Sequence, residues 1–397
     1  MTKANLSKHI LFFTAAIFWF AQYAHTPFVN PQLITMGAVA SLMGIIGGAY
    51  GFTQFVLRIP VGILSDKWQR KFFVCAGCLC AALAGLIMFL FHNPAGFLLG
   101  RALGGVAASS WVSMTVLYVS YFNTEQAARP ITVINMANQI GRLLAFITGA
   151  MVASAITPQA AFLVSAIGGF AGFVLSLFIT EPKQSTPQTH LKLRDFLAVA
   201  KERNLLVTSV LAVFVQLLAF ATATTFTPNH AVSIGATPAA LGGIQVALLV
   251  PSIVLSFLLS KFILRRIDAK PLVVIGFFFT ALYCVFVPFT ATIMQLYWVQ
   301  ALGGIGTTLT FSLLMGLCVE RVALEQRGAA MGFFQSIYGI GMTAGPLIMG
   351  ILADTRDLHF GFLVMAGIAT CAMLAAALCL RRPGRVFFFC KKRTKKT

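Results

Sequence analysis

Residues 58–71 read Arg58-Ile-Pro-Val-Gly62-Ile-Leu-Ser-Asp66-Lys67-Trp-Gln69-Arg70-Lys71, a brief charged turn between two long apolar runs, 37–63 and 72–92. A run of about 20 apolar residues is the length a helix needs to cross a bilayer, whereas a spanning strand needs only about 9–11 and alternates. The stretch therefore reads as the hairpin loop between two membrane helices. Gly62 lets the helices approach closely. Asp66 and Arg70 are i,i+4 neighbours that pair if the helix continues into the loop, and a carboxylate there can also cap another helix's N–H groups.

The same pattern repeats outward along the chain. Runs near 9–29, 37–63, 72–92, 95–120, 130–156 and 159–180 precede a polar stretch, and runs near 205–228, 238–264, 271–290, 293–319, 328–353 and 360–380 follow it. Of the 397 residues 58% are hydrophobic and 10% charged, too many apolar residues for one soluble core. The expectation is an all-α polytopic membrane protein with both termini on one side.

Charge fixes the direction. There are 29 Lys+Arg against 10 Asp+Glu, a formal +19. With the N-terminus inside, 25 basic residues fall on the cytoplasmic side, Arg356 alone falls outside, and Arg58, Arg101 and Arg142 lie within spans. That asymmetry is the positive-inside signal and makes a nucleic-acid partner the wrong reading of the charge. The first run is too long for a signal-peptide core and reads as an anchor. The expected location is a bacterial cytoplasmic membrane with both termini cytoplasmic. The eight cysteines form neither a disulfide framework nor a metal set, and no cofactor is expected.

The two sets of six runs resemble one another. Arg101-Ala-Leu-Gly-Gly-Val recurs as Gln300-Ala-Leu-Gly-Gly-Ile, Thr26-Pro27 as Thr227-Pro228, Glu125-Gln126 as Glu325-Gln326 and Gly141 as Gly341, all at an offset of about 200. Duplication gives a first bundle 1–180, a linker 181–204 with a short surface helix, a second bundle 205–380 and a basic tail 381–397. Paired repeats of this kind place a solute site between the halves.

With the loop motif these features resemble the major facilitator superfamily. Gly62, Asp66, Lys67, Arg70 and Lys71 match the family's loop pattern, while Gln69 replaces its second glycine and puts the tight turn in question. The second-half copy, Leu259-Ser260-Lys261 with Arg265-Arg266, has lost the aspartate. The resemblance implies twelve helices in two pseudo-symmetric bundles, a secondary transporter working by alternating access, and a latch at Gly62, Asp66, Lys67 and Arg70 that holds the outward-open state. It also implies a small-molecule solute, coupling to protons or exchange, and a monomer. The glycine–proline signature of the family's antiporters is missing from the fifth run, which has Ala145-Phe146 instead. Arg101-x-x-Gly104-Gly105 partly resembles an exporter motif, so import and export both stand.

Charges within spans are expensive and read as functional. Arg142 shares a helical face with Asn135, Asn138 and Gln139, either a cavity lining or a polar stripe gluing helices. Arg101 binds solute or braces a helix end; Arg58 reads as a snorkelling side chain that braces the latch. None of the ten acidic residues sits mid-span, so the cavity reads as positive and suited to an anionic or carboxylate-bearing solute. Gln22 and Tyr23 share a face with Thr26. His25 beside them is a proton carrier or a structural histidine. Gln216, Thr224, Gln335 and Tyr338 supply polar groups from the second half. In the eleventh run Gly341 and Gly345 permit close packing and Pro346 bends the helix.

Three rivals stand beside this reading: a proton-antiport efflux pump for drugs or amphipathic metabolites, a non-transporting receptor or scaffold, and a membrane enzyme. The last lacks HExxH, GxSxG and a phosphate loop, since the Gly303–Thr308 stretch has no lysine. The tail, eight basic residues around three phenylalanines, is a ligand for the anionic inner leaflet or a topogenic stop.

Overall fold

The computed structural model describes residues 3–122, 128–182, 201–322 and 326–380, all helix, turn or coil. The expected surface helix of the linker, the basic tail and the Glu125/Glu325 repeat lie outside the described residues, as does the side chain of Asp66. The membrane helices are α1 (Lys3–Tyr23), α2 (Ala40–Lys67), α3 (Arg70–Leu90), α4 (Pro94–Val119), α5 (Ala128–Ala155) and α6 (Ala160–Leu177). The second half continues with α7 (Arg203–Ser233), α8 (Pro238–Lys261), α9 (Ala269–Phe289), α10 (Ile293–Leu317), α11 (Arg327–Thr355) and α12 (Leu358–Cys379). Eleven of these have the length and apolarity to cross a bilayer; α1, 21 residues long, packs on α5 and α6 and completes the twelve.

The contacts repeat with the sequence. In the first half α1 packs on α5, α2 on α4 and α3 on α6; in the second, α7 packs on α11, α8 on α10 and α9 on α12. The halves meet through the matching pairs α2–α11 and α5–α8. The repeated glycines explain why. A side chain at Gly141 would strike the carbonyl oxygen of Ala16 on α1, and one at Gly341 would strike that of Val213 on α7. Lipid provides no hydrophobic drive between helices, so such backbone-close crossings supply much of the packing.

Breaks in the helices follow the repeat too. α4 is interrupted at Ser110, and α10 carries a π-helical turn over Thr308–Ser312. α1 stops at Tyr23 and resumes as a tight 3-10 turn over Thr26–Phe28 and a short helix Val29–Thr35. Its counterpart α7 runs through a π-helical turn at Phe220–Phe226 instead. The first run thus ends as a spanning helix earlier than 29, and the seventh continues past 228.

The hairpin at 58–71 differs from the sequence expectation in three details. α2 ends at Lys67 and α3 begins at Arg70, with Trp68 and Gln69 extended between them, so Asp66 and Arg70 are not one helical turn apart on a single helix. Gln69 sits at φ −77°, ψ 122°, which any residue adopts, so no glycine is needed. Gly62 is also not the closest approach: a side chain there would meet only Val112 at an ordinary 3.8 Å. The tight crossing lies nearer the start of α2, where Gly44 and Gly51 face Pro346 and Met342 of α11. α11 runs as one helix through Pro346, with Gly345 against Leu217 of α7.

The halves are therefore joined at the end away from the basic loops. Both carboxylate oxygens of Asp354, at the end of α11, accept hydrogen bonds from the N–H groups of Ala40 and Ser41 that begin α2, each at 2.8 Å. Asn30 donates to the Thr225 carbonyl at 2.8 Å across the same end.

Candidate substrate cavity

At mid-depth α1, α2 and α4 of the first half converge on α7 of the second. Gln22, Tyr23, Thr26, Tyr50, Arg101, Phe220 and Thr224 enclose a cavity of about 10 Å³, the room of one water. Gln22 is fixed by its amide, which donates to the Gly104 carbonyl at 2.8 Å. Tyr50 stacks on Phe220 with ring centroids 6.0 Å apart and 15° between planes, so the two halves touch through these rings.

Each intramembrane arginine lies on a tyrosine. The guanidinium carbon of Arg101 is 4.6 Å from the Tyr50 ring centroid, and that of Arg142 is 4.5 Å from Tyr23. Arg58 reaches across the halves to Tyr338, 5.7 Å from its centroid, and donates from Nη1 to its hydroxyl at 3.2 Å. Tyr50 is the hub, within electrostatic reach of Arg101, Arg58, Tyr23 and Tyr338. Arg142 also donates to Gln139 Oε1 at 3.4 Å, while its Nε is buried without an acceptor. Among the described residues no carboxylate meets these three arginines.

The magnitudes matter here. A cation over an aromatic face gains about 0.5–2 kcal/mol, but taking a cation out of water costs several. The tyrosines orient the guanidinium groups without offsetting their burial. Arg58 and Arg101 are buried and Arg142 is half-buried, all three with guanidinium donors directed by a ring.

Of the residues singled out from sequence, Gln22, Tyr23, Arg101 and Thr224 line the cavity, and Arg142 joins it through Tyr23. Tyr338 is buried against Arg58. Asn135, Asn138, Gln216 and Gln335 are half-buried on α5, α7 and α11 outside that lining. His25 takes the structural of its two readings and leaves the cavity. Its ring packs on Phe162, its Nδ1 is 3.0 Å from Ser165 Oγ, and it turns into the α1–α6 contact rather than the cavity. Arg58 is also corrected: it is 4% exposed and spans the halves, where a snorkelling side chain would reach for the interface. Tyr50, Phe220 and Gln54 are the residues that sequence reasoning missed. Tyr50, Gln54 and Arg58 recur every fourth position on α2, and that period was the available signal.

At the basic end Arg70 is buried where α3 begins. The N–H groups of Arg70 and Lys71 point at the two Glu181 carboxylate oxygens, at 3.4 and 3.3 Å, and Lys71 Nζ donates to the Leu177 carbonyl at 2.7 Å. Glu181 is thus the described carboxylate that caps a helix at this loop. Beside it Tyr121 donates to the Thr180 carbonyl at 2.8 Å. Burial, with the Glu181 charge, pushes the Tyr121 phenol up to about 12, so it stays a donor.

Comparison with known proteins places this arrangement. The family model of the Major Facilitator Superfamily matches residues 11–233 and 209–387. A protein of Buchnera aphidicola subsp. Schizaphis graminum described as an uncharacterized transporter is 28% identical over 36% of this chain and 37% of its own length. That match therefore spans little more than a third of the relative. The quinolone resistance protein NorA of Staphylococcus aureus strain MRSA252 is 22% identical over 89% of this chain and 91% of its own. Among solved structures, a bacterial homologue of the human lysosomal transporter Spinster, inward-facing and unoccupied, superposes with TM-score 0.78 at 13% identity, covering 96% of this chain and 97% of that one.

Proposed function

The chain belongs to the Major Facilitator Superfamily, a family of membrane transporters rather than enzymes, and from that premise we propose that it carries a small anionic or carboxylate-bearing organic solute across the cytoplasmic membrane by alternating access. The observation that carries the reading is the trio Arg58, Arg101 and Arg142, each laid on a tyrosine and none met by a described carboxylate. Coupling to protons or exchange supplies the driving force. The two bundles, 1–180 and 205–380, rock about the cavity. Gln22, Tyr23, Thr224 and Arg142 orient the solute around Arg101. Gly62, Asp66, Lys67 and Arg70 latch the basic end when the opposite end opens. Both termini face the cytoplasm, and the tail lies on anionic lipid.

In the sequence of events the arginines act first. A solute entering from the basic end exchanges its hydration for charge-assisted bonds that the tyrosine-held guanidinium groups offer in fixed geometry. Closure around it brings α2 and α4 against α7. Uptake into proteoliposomes tests this reading directly. Arg142→Ala is expected to abolish uptake and binding of acidic solutes while the yield of folded protein is unchanged. Full binding of every acidic ligand by that variant sinks the reading.

A second reading, proton-driven export of drugs, is favoured by the end-to-end similarity to NorA. A thermal-shift screen separates the two, because a ligand stabilises the state that binds it. Stabilisation by organic acids supports the first reading, and stabilisation by cationic drugs alone supports the second.

A further inference from the structure

Along one face of α2, Tyr50, Gln54 and Arg58 stand one turn apart, and only Tyr50 lines the cavity. Gln54 is 5% exposed, and its Oε1 is buried with no donor. Arg58 Nη1 is taken by the Tyr338 hydroxyl, while its Nε is buried with no acceptor. Tyr338 is itself wedged between Phe311 and Phe334, with ring centroids 5.4 and 5.7 Å away. The bond at Nη1 therefore fixes the guanidinium with its other edge, Nε and Nη2, unclaimed at Nε. That edge grips a carboxylate through two parallel bonds.

A buried donor without an acceptor and a buried acceptor without a donor are each costly, so a pair one turn apart is an unfavourable arrangement unless one ligand satisfies both. We propose that Gln54 and Arg58, one and two turns beyond the cavity lining on α2, form an adjoining anion subsite, oriented by Tyr338, for a carboxylate that carries a hydroxyl or N–H donor beside it. The inference rests on the anionic-solute reading and narrows it from acids in general to donor-bearing acids. Arg58 and Gln54 touch the solute; Tyr338 positions Arg58 from the other half, so that a bound solute is sensed by both bundles.

The test is the dissociation constant of purified full-length protein in detergent for mandelate and phenylacetate, and for lactate and propionate, at matched ionic strength. In each pair the acids differ by one hydroxyl. The unaltered protein is expected to bind the hydroxy acid of a pair more tightly. Arg58→Gln weakens all four about tenfold or more, the scale of one lost charge-assisted pair. Arg58→Lys, which keeps the charge without the fork, falls between. Gln54→Leu retains the affinity for propionate and phenylacetate and loses the preference for their hydroxylated partners. Tyr338→Phe weakens all four several-fold without altering that preference. If Arg58→Gln does not fold, Arg58→Lys and Gln54→Leu decide the matter. Unchanged constants in the Arg58 variants, with binding lost in Arg142→Ala, overturn the subsite and leave the anionic reading standing. No binding of any acid by the unaltered protein overturns both.

Discussion

An arginine held inside a bilayer has to be oriented by something, and here three of them lie on tyrosine rings. The ring does more than fill space, because its face attracts the cation while leaving the donor edges open. Tyr50→Phe keeps that face and is expected to change stability by less than about 0.5 kcal/mol, a surface-like effect for a core position. Tyr50→Leu removes the ring between Arg101 and Phe220 and is expected to cost about 2–4 kcal/mol. Chemical denaturation of the detergent-solubilised protein reads both; equal losses in the two variants mean that the hydroxyl, not the ring, matters. Sequence named both members of two pairs, Arg142 with Tyr23 and Arg58 with Tyr338, but only the arginine of the third. Arg142 announced itself through its polar stripe with Asn135, Asn138 and Gln139. Tyr50 sits in a glycine-rich apolar run, where one more aromatic reads as filler. His25 shows the opposite limit: it is next to cavity residues in sequence, but it lies in the turn past the end of α1, where its ring faces Ser165 and Phe162.

At the scale of the helix, the repeat was legible because it is written in glycines that cannot change without moving a neighbour. Gly141 and Gly341 serve the same crossing in the two halves, against Ala16 and Val213 carbonyls. A leucine at either position is expected to lower stability by about 1–3 kcal/mol or more, since backbone on the facing helix cannot give way. The thermal midpoint checks this, and a variant as stable as the parent shows that the crossing is loose. What glycine spacing could not reveal is where a helix breaks. The π-helical turns in α7 and α10 depend on how the second half packs, and nothing in the Thr-rich stretches 222–227 and 307–310 distinguishes them from ordinary helix. The helix-end contact of Asp354 was equally hidden, because its partners are backbone N–H groups more than 300 residues away. Asp354→Asn replaces a charged acceptor at the start of α2 with a neutral one. The loss is expected to be about 0.3–1 kcal/mol of the contact between the halves. Labelling of a cysteine placed at Ser41 should then speed up by up to about fivefold, and an unchanged rate means the cap does not hold that end shut.

For the whole molecule the decisive question is whether the end sealed by α2 and α11 has to open in each cycle. Two pairs of helices join the halves, α2–α11 and α5–α8, and the tight glycine crossings at Gly44 and Gly51 lie on the first. Rocking about a central site cannot expose the cavity on the sealed side while Asp354 holds Ala40 and Ser41. Ser41 and Asp354 are adjacent across the halves, so cysteines at both positions, in a background free of the natural ones, form a cross-link that fixes this state. Cross-linked protein in proteoliposomes is expected to lose uptake to background and to regain it on reduction. Binding of an acid from the basic side should survive the cross-link, because the arginines stay where they are. Uptake that persists with the cross-link intact would show that solute passes without separation of α2 from α11, and alternating access about this cavity would have to be abandoned.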